Sequence, residues 1–564
     1  MPLLKIENLS VDFIKEKEIT SAVKQISFEI ERGEILALVG ESGSGKSVTS
    51  LSILQLLPVP PARYQGSILF YENESAINLL DLAGKELQNI RGNSIAMIFQ
   101  EPMTSLNPVM SCGRQIVEAI QLHKKISFNE AKKRTIQWFQ KVKLPKPEEI
   151  FNRYPHQLSG GQKQRVMIAM AMCCNPSLLI CDEPTTALDV TVQKTILELI
   201  KEIQQKENIG VLFITHDLGI VAEIADRVAI IYKGEILEQD RTNLLFKNPK
   251  HPYTKALLAC RPALHPKGVR LPVVSDFMEQ DFNERPSQVS VTPVGKKDNI
   301  ENDVLVKVEN LSVHFPTKKN LFGKPLAFTK AVDDVSLEIY KGETLGLVGE
   351  SGCGKTTLGR TLLRLIEPTH GKIYIQGNDI TALSTKQLSE LRQEVQLVFQ
   401  DPYSSLNPRL TVGAAIAEPM QVFQTLNAKE RSERIADLLD KVNLPKSYLK
   451  RYPHEFSGGQ RQRIVIARAL ALNPTLLVCD ESVSALDVSV QAQVLNLLND
   501  LKKDLGLTML FITHDLSIVR YMSDRIAVMK AGKIIETAGA EEIYQNPKME
   551  YTRNLLAAIP KIAV

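Results

Sequence analysis

Short apolar runs that stop abruptly on glycine or on a polar pair recur along the chain. Ile35–Gly40 reads ILALVG, Leu178–Glu183 reads LLICDE, and Val211–Asp217 reads VLFITHD. These runs are rich in β-branched residues and show no polar alternation, which predicts strands buried on both faces of a parallel sheet. Their polar residues all lie at the C-terminal end, where an open α/β sheet holds its ligands. Residues 111–146 and 412–446 carry helical spacing and no strand signal, so helical insertions are predicted there. The strongest apolar run, Val166–Cys174, is far shorter than the roughly 20 residues that cross a bilayer. Charges fall within the first seven residues and no apolar core follows, so neither a signal peptide nor a membrane span is expected, and a soluble chain is.

The pattern occurs twice. LALVGESGSGKS from Leu36 returns as LGLVGESGCGKT from Leu345, and YPHQLSGGQKQR from Tyr154 returns as YPHEFSGGQRQR from Tyr452. LLICDEPTTALDV returns as LLVCDESVSALDV, and LFITHDL returns unchanged. From Ser159/Ser457 onward the two copies keep a constant spacing of 298 residues. A duplicated unit of this size is a domain pair and not a solenoid. Residues 261–303 hold five prolines and no sustained helical period. They are expected to be an extended linker between domains at 1–260 and 304–564.

Composition adds little and removes some classes. The 564 residues are too many for one core. A net charge of +4 is no dense positive field of the kind a dedicated nucleic-acid binder carries, although a local patch can hide in a neutral total. The seven cysteines form no CxxC pair and no zinc spacing, and read as reduced, buried thiols. A basic stretch from Lys124 to Lys146 has two readings: a solvated helix face, or a surface for anionic headgroups or a partner's acidic loop.

Candidate chemistry sits at the ends of the apolar runs. Gly40, Glu41, Ser42, Gly43, Ser44, Gly45, Lys46 and Ser47 fit the pattern GxxxxGK[ST]. So do Gly349, Glu350, Ser351, Gly352, Cys353, Gly354, Lys355 and Thr356. Such a loop curls its N–H groups around phosphate oxygens and opens a helix whose positive end faces them. Lys46 and Lys355 are expected on the β- and γ-phosphates, and Ser47 and Thr356 on Mg²⁺. Asp182 and Asp480 end strands and are suited to hold Mg²⁺ through its water shell. The adjacent Glu183 and Glu481 are suited to orient and deprotonate an attacking water. Ser159, Gly160, Gly161 and Gln162, with Ser457, Gly458, Gly459 and Gln460, open helices. Each is either an ordinary N-cap or a second anion site.

The order of phosphate loop, Gln100, LSGGQ, LLICDE, ALD and THD, repeated in both halves, resembles the ATP-binding-cassette (ABC) family. The resemblance implies an α/β fold class: two P-loop NTPase domains, each with a RecA-like core, an antiparallel β subdomain and a helical signature subdomain. It also implies composite ATP sites, with the signature of one domain capping the nucleotide held by the loop of the other. Gly40–Ser47 would pair with Ser457–Gln460, and Gly349–Thr356 with Ser159–Gln162. By the same resemblance Gln100 and Gln400 sense Mg²⁺ and contact a transport partner. Asp189 and Asp487 bridge the domains, and His216 and His514 hold the γ-phosphate. Both copies keep the full set, so two hydrolytic sites are expected. Phe13 and Phe315, with Phe328 as a further choice, are candidates to stack on adenine or to pack the core. Phe456 replaces a leucine of the signature, apolar for apolar.

FQEPMTSLNP, FQDPYSSLNP, ALDVTVQ and NPKHPYTKALL resemble the peptide/nickel branch of importer ATPases. NPKMEYTRNLL is a weaker echo, with Met549 and Glu550 in place of His251 and Pro252. The resemblance implies ATP and Mg²⁺ as cofactors, two integral-membrane permease subunits and an extracytoplasmic substrate-binding protein as partners, and a place on the cytoplasmic face of a bacterial inner membrane. Peptides are the expected cargo, with nickel, opine or glutathione-like cargo as alternatives. A soluble tandem ABC ATPase acting on ribosomes or DNA is the reading from another class. It wants a long helical arm, a coiled coil or zinc-binding cysteines, none of which the sequence carries, and no direct nucleic-acid contact is expected.

Overall fold

Strands without a polar face need cover on both sides, and each half of the chain supplies it. The computed structural model describes residues 2–560 except 16–17, 73–74, 101–104, 187, 279–302, 320–324, 425 and 485. It divides into two units, Met1–Leu258 and Ala259–Ile559.

In the first unit the strands are β1 (Leu4–Lys15), β2 (Glu18–Ile30), β3 (Ile35–Val39), β4 (Ala62–Glu72), β5 (Ser75–Asn78), β6 (Ile95–Ile98), β7 (Leu178–Asp182), β8 (Gly210–Thr215), β9 (Arg227–Tyr232) and β10 (Glu235–Arg241). The core sheet runs β10-β9-β3-β8-β7-β6, parallel except for the edge strand β10. A second, antiparallel sheet runs β2-β1-β4-β5. Leu36, Leu38, Ile180, Leu212 and Ile214 point into the core shared with that sheet. Their neighbours Ile35, Leu179, Cys181, Val211 and Phe213 point into a helical core on the opposite face. This two-sided burial is why the strands read as unbroken apolar runs.

The second unit repeats the plan with β11 (Val304–Lys319), β12 (Pro325–Tyr340), β13 (Thr344–Val348), β14 (His370–Ile375), β15 (Asn378–Asp379), β16 (Val395–Val398), β17 (Leu476–Asp480), β18 (Thr508–Ile512), β19 (Arg525–Lys530) and β20 (Lys533–Gly539). Its sheets run β16-β17-β18-β13-β19-β20 and β12-β11-β14-β15. The insertions are helical, over Cys112–His123 and Phe128–Lys141 in one unit and Val412–Val422 and Ala428–Lys441 in the other. Among the described residues no helix is long and apolar enough to cross a membrane. All seven cysteines are buried and free of disulfides.

Much of the basic stretch is ion-paired within its own unit, which favours the solvated-face reading. Lys141 meets Glu207 at 2.7 Å, Lys143 meets Glu202 at 2.7 Å, and Lys146 meets Glu149 at 2.9 Å. Exposed pairs of this kind add little to stability, because solvent screens them.

The Pro-rich segment departs from the extended linker expected from residue 261. Pro262–Leu264 and Val274–Met278 form short helices, and the stretch packs on the second unit. Leu271 is buried there, and the Asn496 side chain accepts from its N–H at 2.9 Å and donates to its carbonyl at 2.8 Å. Tyr521 donates to the Val269 carbonyl at 2.9 Å, and Arg270 pairs with Asp500 at 2.9 Å. Prolines hid this stretch because the partners that satisfy its backbone lie more than 200 residues away. The rest of the predicted linker, from 279 to 302, lies outside the described residues.

Candidate active site

The chain leaves β3 at Gly40, where a Cβ would meet the Ile231 carbonyl at 2.1 Å, so only glycine fits that exit. Gly43 and Gly45 have φ of 77° and 105°, in the left-handed region that glycine enters without penalty. The loop then opens the helix Lys46–Ile53. Lys46 is buried, and its ammonium donates to the carbonyls of Gly40 at 2.7 Å and Glu41 at 2.8 Å. Lys355 does the same to Gly349 at 2.8 Å and Glu350 at 2.9 Å. Gly354, at φ 110°, opens the helix Lys355–Leu362.

The carboxylates at the ends of β7 and β17 face these loops. Ser47 donates to Asp182 at 3.2 Å, and Thr356 donates to Asp480 at 2.9 Å. Burial pushes both aspartates above the usual carboxylate range, against the hydroxyl donors beside them. A divalent cation seated on the Ser47–Asp182 or Thr356–Asp480 pair would offset that desolvation, so the donor set fits Mg²⁺.

Glu183 and Glu481 have φ of 46° and 48°, unusual for residues other than glycine, asparagine or aspartate. Their N–H groups donate to the carbonyls of Ile214 at 3.0 Å and Ile512 at 2.9 Å, which holds the bend. The bend turns each side chain toward the glutamine and histidine of its own unit. Gln100 donates to Glu183 Oε2 at 3.2 Å, and Gln400 donates to Glu481 Oε2 at 2.8 Å. His216 Nδ1 lies 3.2 Å from Glu183 Oε1, and His514 Nδ1 lies 3.5 Å from Glu481 Oε1. Thr186 adds a bond to Glu183 Oε2 at 3.0 Å, whereas its counterpart Ser484 turns to the Glu481 main-chain carbonyl at 2.9 Å. Burial raises the Glu183 carboxyl, but the bond and charge of His216, with Lys46 and Thr186, outweigh it and hold the group at about 2. Glu481 is lowered by the same balance of burial against His514 and Lys355.

His514 is the reciprocal case. Burial lowers it, and the bond and charge of Glu481 more than restore it, so it lies above 6.5. A raised histidine stabilises the fold below its unfolded pKa, and that share is lost as the pH rises through the folded value. The depressed Glu481 carboxyl contributes above its unfolded pKa, and its share is lost as the pH falls through its folded value. The pair therefore holds from the ordinary carboxylate range up to the raised His514 value. In the nucleotide-free protein, an NMR titration of His514 is expected to have its midpoint above 6.5, and Glu481→Gln to move that midpoint down. A midpoint indifferent to Glu481→Gln would contradict the pairing.

The signature turns are exposed N-caps. Ser159 accepts from the Gln162 N–H at 3.3 Å and Ser457 from the Gln460 N–H at 3.4 Å, each inside a capping box. Their glycines differ in kind. A Cβ on Gly161 or Gly459 would meet Val192 at 2.7 Å or Val490 at 2.1 Å, so packing demands glycine there. A Cβ on Gly160 or Gly458 has only ordinary contacts at 3.7 and 3.9 Å, so nothing within the unit requires their bareness.

Asp189 caps its own helix by accepting from Val192 N–H at 2.9 Å, and Asp487 has no such cap bond. Phe13 packs against the core beside the antiparallel sheet, whereas Phe315 and Phe328 are exposed. Residues 101–104 of the first FQEPMTSLNP stretch lie outside the described residues. Sequence reading missed Thr186, Ser50, which lies 3.5 Å from Asp182, and two tyrosines behind the phosphate loops.

Comparison with known proteins agrees over nearly the whole chain. Residues 23–186 and 332–484 match the ABC transporter family. Residues 237–277 and 535–564 match the oligopeptide/dipeptide transporter C-terminal region. The glutathione import ATP-binding protein GsiA of Escherichia coli O6:H1 is 48% identical over 99% of this chain and 89% of its own length. Its namesakes in Shigella sonnei and Escherichia coli K12 are each 47% identical over the same shares. A solved dimeric ATP-binding cassette, MJ0796, is 29% identical over 42% of this chain and 98% of its own, at a TM-score of 0.38. The chain belongs to the ABC transporter family, as the ATP-hydrolysing tandem subunit of an importer in its oligopeptide/dipeptide branch.

Proposed function

We propose that this subunit drives uptake of short peptides, with glutathione the first cargo to test. The observation that carries this reading is end-to-end identity of 48% with a protein named for glutathione import. Two composite sites turn over ATP. Lys46, Ser47, Asp182, Gln100, Glu183 and His216 work with Ser457–Gln460, and Lys355, Thr356, Asp480, Gln400, Glu481 and His514 work with Ser159–Gln162. Ser47 and Asp182, or Thr356 and Asp480, with Gln100 or Gln400, would hold Mg²⁺, which would supply charge neutralisation on the phosphates. The curled N–H groups and the lysine hold the β- and γ-phosphates. The glutamate orients the attacking water and accepts its proton, and the histidine holds the γ-phosphate. The bare Gly160 and Gly458 support close approach of a phosphate to the signature turn.

Two integral-membrane permease subunits dock near Gln100 and Gln400, with this chain on the cytoplasmic face of the membrane. An extracytoplasmic binding protein delivers the cargo. An open groove of about 1120 Å³ beside the helical insertion of the first unit supports the docking. Val109, 82% exposed, and Leu122, 77% exposed, line it with Phe128 and Tyr154.

Deleting the gene is expected to abolish saturable uptake of labelled glutathione. The wild-type chain restores it, and a Lys46→Ala/Lys355→Ala chain does not. Uptake of glutathione that persists after deletion, together with loss of dipeptide uptake, would move the cargo to dipeptides.

A further inference from the structure

Each phosphate loop is pinned from outside at two points. The first is the turn after β9 or β19, where Gly234 N–H donates to the Ser44 carbonyl at 3.0 Å and Gly532 N–H to the Cys353 carbonyl at 2.9 Å. The second comes from the C-terminal helix of each unit, Pro252–Ala259 or Glu550–Ala557. The Glu41 N–H donates to the Tyr253 hydroxyl at 3.3 Å, and the Glu350 N–H donates to the Tyr551 hydroxyl at 3.2 Å. The carbonyls of Glu41 and Glu350 are the same ones that accept from the loop lysines. One residue in each loop thus joins the tyrosine on one side to the phosphate-binding ammonium on the other.

The ring environments differ while the hydroxyl contact does not. Tyr253 is fully buried against Tyr232, with ring centroids 4.3 Å apart, whereas Tyr551 is half-buried with the Lys530 ammonium 4.7 Å over its ring. The contact is therefore not a by-product of one way of packing a tyrosine. The start of each helix is held by a buried or half-buried carboxylate. Glu238 accepts from Lys250 and His251 N–H at 2.9 and 3.1 Å, and Glu536 accepts from Lys548 and Met549 N–H at 2.7 and 3.2 Å. The exchange of His251 and Pro252 for Met549 and Glu550 leaves both contacts in place.

We propose that Tyr253 and Tyr551 are positioning residues for the phosphate loops, through which the oligopeptide-type C-terminal region sets how tightly each cassette grips ATP. The inference rests on reading Gly40–Ser47 and Gly349–Thr356 as the ATP cradles. Removing the hydroxyl deletes one bond to the Glu41 or Glu350 N–H and loosens the peptide that orients the lysine.

The test uses the purified full chain and Tyr253→Phe, Tyr551→Phe and the double variant. The double variant is expected to raise KM for ATP about fivefold, the effect of one ordinary hydrogen bond, with kcat within about twofold and the melting temperature lowered by no more than about 4 °C. Tyrosines that only pack the core are fully replaced by phenylalanine, so an unchanged KM overturns the proposal. If Tyr253→Phe unfolds the first unit, Tyr551→Phe at the less buried position supplies the same reading. Lys46→Ala/Lys355→Ala tests the cradle separately: ATP binding that survives it overturns the cradle reading, whatever the tyrosine variants do.

Discussion

Glu183→Gln and Glu481→Gln are each expected to remove hydrolysis at one site without removing ATP binding. The amide keeps the size and the bend of the original residue but cannot take a proton from water. Loss of a general base costs about 10²–10⁴-fold at the affected site. Each single variant should therefore keep at most about half of the turnover, and the double variant about a hundredth or less. Phosphate release measured beside a binding titration with a fluorescent ATP analogue separates the two effects. Full turnover in one single variant and none in the other would show that a single site does the work. The equal treatment of the two sites rests on geometry that recurs in both units. The glutamates share a left-handed φ of 46° and 48°, glutamine contacts at 3.2 and 2.8 Å, and a histidine on the other carboxylate oxygen.

The proposed pairing of loop and signature across the two cassettes makes a second prediction of comparable size. Lys46→Ala deletes two buried hydrogen bonds and the charge aimed at the phosphates, worth about 1.5–3 kcal/mol for each charged contact. Ser457→Arg or Ser159→Arg puts a bulky cation on an exposed cap. If Gly40–Ser47 works with Ser457, then Lys46→Ala/Ser457→Arg damages one site twice. Lys46→Ala/Ser159→Arg damages both sites once. In a Glu183→Gln/Glu481→Gln background the first combination should trap about one nucleotide per chain and the second none. The reverse order would mean that each cassette's signature serves its own nucleotide, and equal trapping would mean that neither pairing of loop with signature holds.

Much of the core and of the candidate site was legible because each signal is local. A β-branched run ending in Asp182-Glu183 carries its own burial and its own polar terminus. The capping boxes at Ser159 and Ser457 are likewise contained within four residues. What escaped depends on distant partners. Tyr253 lies 212 residues from Glu41 and looks like any core aromatic until the fold brings them together. The backbone of Leu271 is satisfied by Asn496, so its proline-rich setting read as extended chain. The left-handed bend at Glu183 has no sequence signal, since a glutamate is a poor choice for it by propensity. The difference between Gly160 and Gly161 likewise appears only once Val192 stands beside one of them.

The Thr186 hydroxyl makes the surroundings of the two glutamates unequal. In the first, three donors occupy the Glu183 carboxylate: Gln100 and Thr186 on one oxygen and His216 on the other. In the second, Gln400 and His514 attend Glu481 among the described residues, and Ser484 turns to the main chain. A carboxylate offers about four acceptor directions, and side chains take three of them in the first cassette and two in the second. The first glutamate is thus held at rest by one hydroxyl more than the second, so Thr186→Ala should bring the two carboxylates onto the same footing.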